Sequence, residues 1–349
     1  DGGVLSFEDR RAGMSERVEQ LQMMIVAQSL SGPFDMKASA LARGVPFSIE
    51  LTTGTLKPEQ PLTIGLKAAL TEADAKLRFN GKMLPPIRTG LLSGKLEIVG
   101  SNAVELASIA GRGDLPSALA QPVSVDGMLM VSPDEIALKG TAIKLGAFSG
   151  NGAVSVTLGE PMNVDIAISV NRLNLDDFLS QDTAITTVPT KSTSRPAASD
   201  EPKTVKSGPV KLGLPKNINA SLDLAIDVIQ YRGGVIREAG LRAALANGEV
   251  TLDRASALLP GASDISLLGF LSFTGGEPSF DGEIAAASDN LRSLLDWSGV
   301  DTGALPPDRL RGFSYASKIK VTPIALEVQD INVRLDISTM TGGLAVALR

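Results

Sequence analysis

The chain has 349 residues, a formal net charge of −6, and neither cysteine nor histidine. The missing cysteine excludes disulfide frameworks, thiolate catalysis and cysteine metal sites, and the missing histidine removes the commonest general base and metal ligand. The lysines and arginines are scattered, so no basic footprint for nucleic acid is present. Aromatics make up 4% of the chain, against 35 glycines and 20 prolines, a balance that suits short strands with tight turns better than a helical bundle.

Taken in order, the chain reads as one strand after another. Val4–Asp9, Val18–Leu30, Phe34–Leu41, Phe47–Thr53, Leu62–Leu70, Ala75–Phe79 and Gly94–Ile98 form a first series bounded by Gly, Pro or Asn. Val123–Val131, Glu135–Leu145, Asn151–Leu158 and Met162–Val170 form a second. A third begins at Asn217, where Ile218, Ala220, Leu222, Leu224, Ile226 and Val228 alternate with Asn219, Ser221, Asp223 and Asp227. Successive strand side chains point to opposite faces, so this strand has one apolar and one wet side. Arg232-Gly233-Gly234, Asn247-Gly248 and Gly275-Gly276 supply the turns that follow, since these residues tolerate positive φ. The pattern predicts an extended all-β fold of mainly antiparallel strands.

Three short helical patterns interrupt it: Asn102–Ala110, Asn174–Leu179 and Asp289–Trp297. Each starts on a residue able to cap the first free N–H groups, and the first two carry an acid three residues later. Each closes a run of strands, as a lid on a β unit. The stretches Leu106–Val156 and Leu295–Val346 share one order of helix, Leu-Pro, strand, Ser/Thr-Pro, strand, Gly-rich turn and strand, at an offset of roughly 190 residues. Gln181–Gly208 is too poor in apolar residues to repay chain ordering and predicts a mobile linker. The organisation expected is a β-rich unit over 1–180, a linker over 181–209, and a second β-rich unit over 210–349 that can continue the first sheet.

No enzyme signature stands out. Phosphate-binding glycine loops, a serine elbow and calcium loops are absent from the sequence. Asp176-Asp177 reads as charge complementing a helix start, Arg112-Gly113-Asp114 as a polar turn, and Asn219-Ala220-Ser221 as part of a strand. A polysaccharide-cleaving enzyme would need paired acids beside aromatic platforms, and Trp297 is the only tryptophan. No cofactor is expected. The chain opens on Asp1, so a processed or excised piece is expected; no apolar run approaches the roughly 20 residues of a membrane span.

The apolar stripes are the main signal. Burying one Leu, Ile, Val or Phe gains roughly 1.5–3 kcal/mol, so a dozen striped strands need a cover. Two covers fit the alternation: a second sheet, as in a sandwich, or acyl chains lying in a trough. For the trough, the lining residues expected are Leu222, Leu224, Ile226, Ile265, Leu267, Leu271, Ile319 and Val321.

Several short motifs occur in a telling order. Asp1-Gly2-Gly3-Val4-Leu5-Ser6-Phe7-Glu8-Asp9, Leu30-Ser31-Gly32-Pro33-Phe34, Gly44-Val45-Pro46-Phe47 and Phe79-Asn80-Gly81 come first. Ala246-Asn247-Gly248-Glu249-Val250-Thr251-Leu252, Gly282-Glu283 and the Asp289–Leu295 helix follow the polar linker. In this the chain resembles the AsmA family of bacterial envelope proteins. The resemblance implies an elongated, curved, mainly antiparallel sheet, U-shaped and capped by the short helices, whose hydrophobic groove holds phospholipid between the inner and outer membranes. It also implies a periplasmic location, an inner-membrane helix outside this chain, envelope protein partners and no catalytic residues. The alternative expectation is a non-catalytic sandwich module that assists outer-membrane protein assembly.

Overall fold

The computed structural model describes residues 2–9, 14–42, 44–71, 74–85, 90–109, 119–176, 214–274 and 276–348. They form one curved, unclosed sheet of nineteen strands. Its strands are β1 (Gly3–Asp9), β2 (Met14–Ala27), β3 (Phe34–Ala42), β4 (Val45–Thr53), β5 (Leu62–Leu70), β6 (Ala75–Met83), β7 (Leu92–Gly100), β8 (Val123–Val131), β9 (Glu135–Leu145) and β10 (Phe148–Thr157). They continue as β11 (Met162–Asn174), β12 (Ile218–Tyr231), β13 (Gly234–Ala246), β14 (Glu249–Leu259), β15 (Ser263–Thr274), β16 (Glu277–Ser288), β17 (Phe313–Thr322), β18 (Ala325–Leu335) and β19 (Ser338–Ala347). Two helices interrupt them, α1 (Ala103–Ile109) after β7 and α2 (Leu291–Ser298) after β16.

Every strand pairs with its neighbours in sequence. All ladders are antiparallel except that of β11 with β12, which runs parallel from Met162↔Ile218 to Asn174↔Gln230. That one ladder has a large consequence. Up to β11 the odd strands run toward one rim of the sheet; from β12 onward the even strands do. Odd β7 and even β16 therefore end at the same rim, and α1 and α2 sit there together. Had β12 paired antiparallel, α2 would lie at the opposite rim.

The helices are fixed by local chemistry. At α1, Asn102 Oδ1 accepts from the N–H groups of Val104 and Glu105 at 3.0 and 3.3 Å, and its amide donates to Glu105 Oε1 at 3.2 Å. This is the reciprocal cap expected from the sequence. At α2 the cap is Asn290, not Asp289, with Oδ1 accepting from Ser293 N at 3.2 Å. Gly299, at φ 91°, ends that helix in the left-handed conformation. Of the third expected helix only Asn174, Leu175 and Asp176 are described: Asn174 ends β11, and the two that follow are helical. The expected linker over 181–209 and Arg112-Gly113-Asp114 lie outside the described residues.

The repeat seen in the sequence is exact in the ladders. β8, β9 and β10 begin at 123, 135 and 148, and β17, β18 and β19 at 313, 325 and 338, each 190 later. Val154↔Leu138 and Val156↔Ile136 in the first unit match Leu344↔Val328 and Val346↔Leu326 in the second. Even the irregularities coincide. Gly140, with φ 58°, and Asp330, with φ 54°, mark the same interruption of the ladder.

A pair of facing glycines recurs in each unit. Gly81 faces Gly94 across β6–β7, and Gly269 faces Gly282 across β15–β16. A Cβ on Gly94 would meet the backbone of Asn80 and Gly81, and one on Gly282 the carbonyl oxygen of Leu268. The space is instead roofed by an aromatic ring two residues away, Phe79 over the first pair and Phe280 over the second.

Candidate functional site: the apolar face

The ladders carry the stripes across the sheet in register. In the first unit one row runs Ile25, Met36, Leu51, Leu66, Phe79, Leu96, one residue from each of β2 to β7. In the second a row runs Ile168, Leu224, Leu241, Ala255, Leu267, Ile284 from β11 to β16. A parallel row contains Leu271, Phe280, Val321, Leu326 and Val346. The face is therefore continuous from strand to strand.

Nothing among the described residues lies over it. They form a single layer, so the sandwich alternative is not the architecture observed. The only apolar side chains that are buried among them are Ala40, Ala75, Phe79, Ala137 and Leu291. The remaining stripe residues are covered at their flanks by strand neighbours and open above. Half-burial of this kind, repeated over a whole sheet face, is what marks a surface made to be covered.

All eight residues expected to line the trough sit on this face and are half-buried. Leu224, Ile226, Ile265 and Leu267 converge on one hollow of about 340 Å³, completed by Leu241, Ala255 and Ala257 among others. Leu222 adjoins it, between Ile166 and Ala243. Leu271 and Val321 flank Phe280, and Ile319 faces Gly282, so these three belong to the neighbouring stretch of the face. Sequence alternation missed Leu241 and the alanines. Small residues at 239, 255 and 257 give the hollow its depth, and alternation scored by size overlooks them.

The helix rim closes one end of this stretch. Trp297 of α2 donates its indole N–H to the carbonyl oxygen of Tyr231 at 3.0 Å and meets the Tyr231 ring edge-on, 6.1 Å between centroids at 81°. Gly234 is required there, because a side chain would collide with the indole. Asn290 N–H also bonds the carbonyl of Gly261 in the β14–β15 turn at 3.1 Å. One helix thus spans the strand ends from β12 to β16. In the first unit α1 packs Leu106 over Gly100 in the same manner.

The opposite face is wet and charged. Lys37, Glu50 and Lys67 face one another on β3, β4 and β5, with ion pairs of 3.4 and 3.7 Å. They border a hollow of about 640 Å³ that also includes Lys76 and Arg78. Arg242 pairs with Asp223 at 2.8 Å, which raises the Arg242 pKa, and Lys95 bonds Glu97 at 2.7 Å, which holds the Glu97 carboxyl below its usual range. These charges stand in solvent, as expected for Asp223 and Asp227. Among the described residues no group of three or more acidic side chains could hold a metal ion, and no helix is long and apolar enough to cross a membrane.

The fold and site together define a class: an open, one-layer β sheet with one continuous apolar face and one charged face. Comparison with protein-family models, with curated proteins and with solved structures finds no match.

Proposed function

We propose that the apolar face carries phospholipid acyl chains and screens them from water. The observation that carries this reading is the unbroken apolar face, spread over the whole sheet with no second protein layer on it among the described residues. The mechanism is passive. Aliphatic side chains of the row through Leu224 and Leu267 and of its neighbours replace the bilayer interior, while headgroups stay in water at the sheet margin. Each methylene withdrawn from water contributes about 0.8 kcal/mol, so a chain laid along one row gains several kcal/mol without any directional contact. The charged face keeps the other side of the sheet solvated.

The motif order resembling the AsmA family supports a setting in the periplasm, between inner and outer membranes, in support of outer-membrane biogenesis. In that setting the chain acts as a non-enzyme, tethered to the inner membrane by a segment outside it, with phospholipid as its cargo.

Leu224→Asp and Leu267→Asp test the reading. Each places a charge in the hollow without touching the ladder. Both variants are expected to retain strand content by circular dichroism and to lose most co-purifying phospholipid by mass spectrometry. Lipid content equal to that of the unaltered chain would refute the assignment of these residues.

A further inference from the structure

The wet face of β3–β6 gathers cations that the matching part of the second unit lacks. In a chain of net charge −6, Lys37, Lys67, Lys76 and Arg78 line one hollow of about 640 Å³, with Glu50 the only acid among its described lining. Lys67 stands directly opposite Arg78 across β5–β6, and Lys76 lies two residues from Arg78 on the same face. Facing side chains start about 5 Å apart, and like charges so placed destabilise a sheet. Carboxylates answer them only in part. Lys37 and Lys67 share Glu50 at 3.4 and 3.7 Å, and Lys76 reaches Asp74 at 3.6 Å. Arg78 forms no ion pair among the described residues.

The second unit shows that the sheet does not need these charges. With Gly81–Gly94 laid on Gly269–Gly282, Lys67 and Arg78 correspond to Ser256 and Ser266, and Lys76 to Asp264. Lys37 and Glu50 correspond to Ala225 and Gly240. The same ladders form with small or acidic residues in every one of these places. A like-charge cluster that costs stability and is dispensable to the fold marks a site for a ligand of opposite sign.

We propose that this hollow binds a small, water-soluble phosphate monoester. The phosphate sits among Lys67, Lys76 and Arg78, where the guanidinium offers a planar fork and the ammoniums point charges to its oxygens. The hydroxylated body of the ligand lies over Ser39 and Ser48, which face each other in the same hollow. A small ligand fits better than an extended polyanion or an anionic membrane. Beyond Arg78 the same row of the wet face turns acidic, through Glu97 and Asp126, and repels a longer run of negative charge. A hollow of this size also lies within the range of single-ligand sites, about 300–1,000 Å³. The cations are 62–71% exposed where their ion pairs are recorded, so the ligand reaches them from water without displacing protein. The site is on the opposite side of the sheet from the apolar face and does not depend on what that face carries.

Glucose 6-phosphate is the probe, titrated into the full chain by isothermal calorimetry with glucose as the uncharged control. Saturable binding of the phosphate ester is expected, and none of glucose. The second unit supplies the variant: Lys67→Ser with Arg78→Ser copies Ser256 and Ser266, so strand content should be unchanged by circular dichroism. Its affinity for glucose 6-phosphate is expected to fall at least about tenfold, the loss of charge-assisted bonds. Lys76→Gln, a single change that leaves the Lys67–Arg78 pair in place, is expected to weaken binding in the same direction. Retention of the chain by phosphatidylglycerol vesicles is expected to be the same for parent and variants. The proposal is overturned if glucose 6-phosphate gives no saturable binding, if glucose binds as well, or if the variants bind the ester as the parent does. It is equally overturned if the substitutions reduce vesicle binding, which would make the patch a membrane contact.

Discussion

The units β3–β10 and β12–β19 are two executions of one plan, and their differences are more instructive than their likeness. The facing glycines, the ladder interruptions and the rim helix recur at matching places, while the side chains around them have diverged. Leu66 and Leu96 flank Phe79 in the first unit; Leu271 and Val321 flank Phe280 in the second. What is held constant is the backbone geometry. What varies is the lining: the first unit has a charged hollow of about 640 Å³ on its wet face, whereas the second has a smaller one of about 230 Å³ there, bordered by Glu283, Lys318 and Asp330, and an apolar hollow of about 340 Å³ on its dry face.

The comparison is most severely tested at the glycine pairs. Gly282→Val puts a Cβ into the carbonyl oxygen of Leu268, and Gly94→Val does the same to the backbone at Asn80. Backbone cannot move aside as a flexible side chain does, so each change is expected to cost about 3 kcal/mol, read as a lowered urea midpoint. Comparable losses in both units would confirm that the pairs do equivalent work; a loss in one alone would separate the units.

A smaller effect is expected at the rim. Trp297→Ala removes the tie between α2 and the Tyr231 turn, and because the indole is only half-buried the loss should be about 2 kcal/mol. Hydrogen exchange should then rise in the β12–β13 turn. The change leaves the first unit untouched, and faster exchange around α1 would contradict that independence.

The smallest effect separates the units by pH. The β9–β10 turn has Gly146 at φ 56°, and its counterpart in the β18–β19 turn is Asp336 at φ 52°. Desolvation pushes the Asp336 carboxyl upward, but bonds from the backbone N–H groups of Arg311, Leu310 and Gly312, together with the Arg309 charge, outweigh it and leave the pKa below its ordinary value. A lowered folded pKa means the contribution is present above the unfolded pKa near 4 and is lost as pH falls through the lower folded value. Asp336→Gly, which copies the first unit, is expected to relieve the left-handed backbone and to remove that acid dependence. Thermal unfolding between pH 5 and 2.5 checks it. A variant whose stability falls as steeply with acid as the parent's would show that Asp336 contributes none of the dependence.

Much of this was legible in the residues. Period-2 alternation placed the strands because each has one covered and one solvated face, and Asn102 with Glu105 announced the start of α1. The repeat was visible from Leu-Pro and Ser/Thr-Pro spacing alone. The lining residues Leu224, Ile226, Ile265 and Leu267 followed from alternation, since a strand's face is fixed by parity. Three features were not legible. The parallel β11–β12 ladder depends on where a long connection returns, which local pattern does not encode. The interruptions at Gly140 and Asp330 shift register by a non-local fit between strands. The cap of α2 fell on Asn290 instead of adjacent Asp289, since both side chains can cap and only the entry angle of the chain decides.

The central claim is that one face of the sheet meets lipid and the other meets water, and adjacent residues of β15 offer the most direct test. Leu267 points to the apolar hollow, while Leu268, 46% exposed, points to the charged face. A photoreactive amino acid placed at each position in turn, irradiated in cells and analysed by mass spectrometry, is expected to yield phospholipid adducts at 267 and none at 268. Adducts at both positions alike, or at neither, would contradict the account.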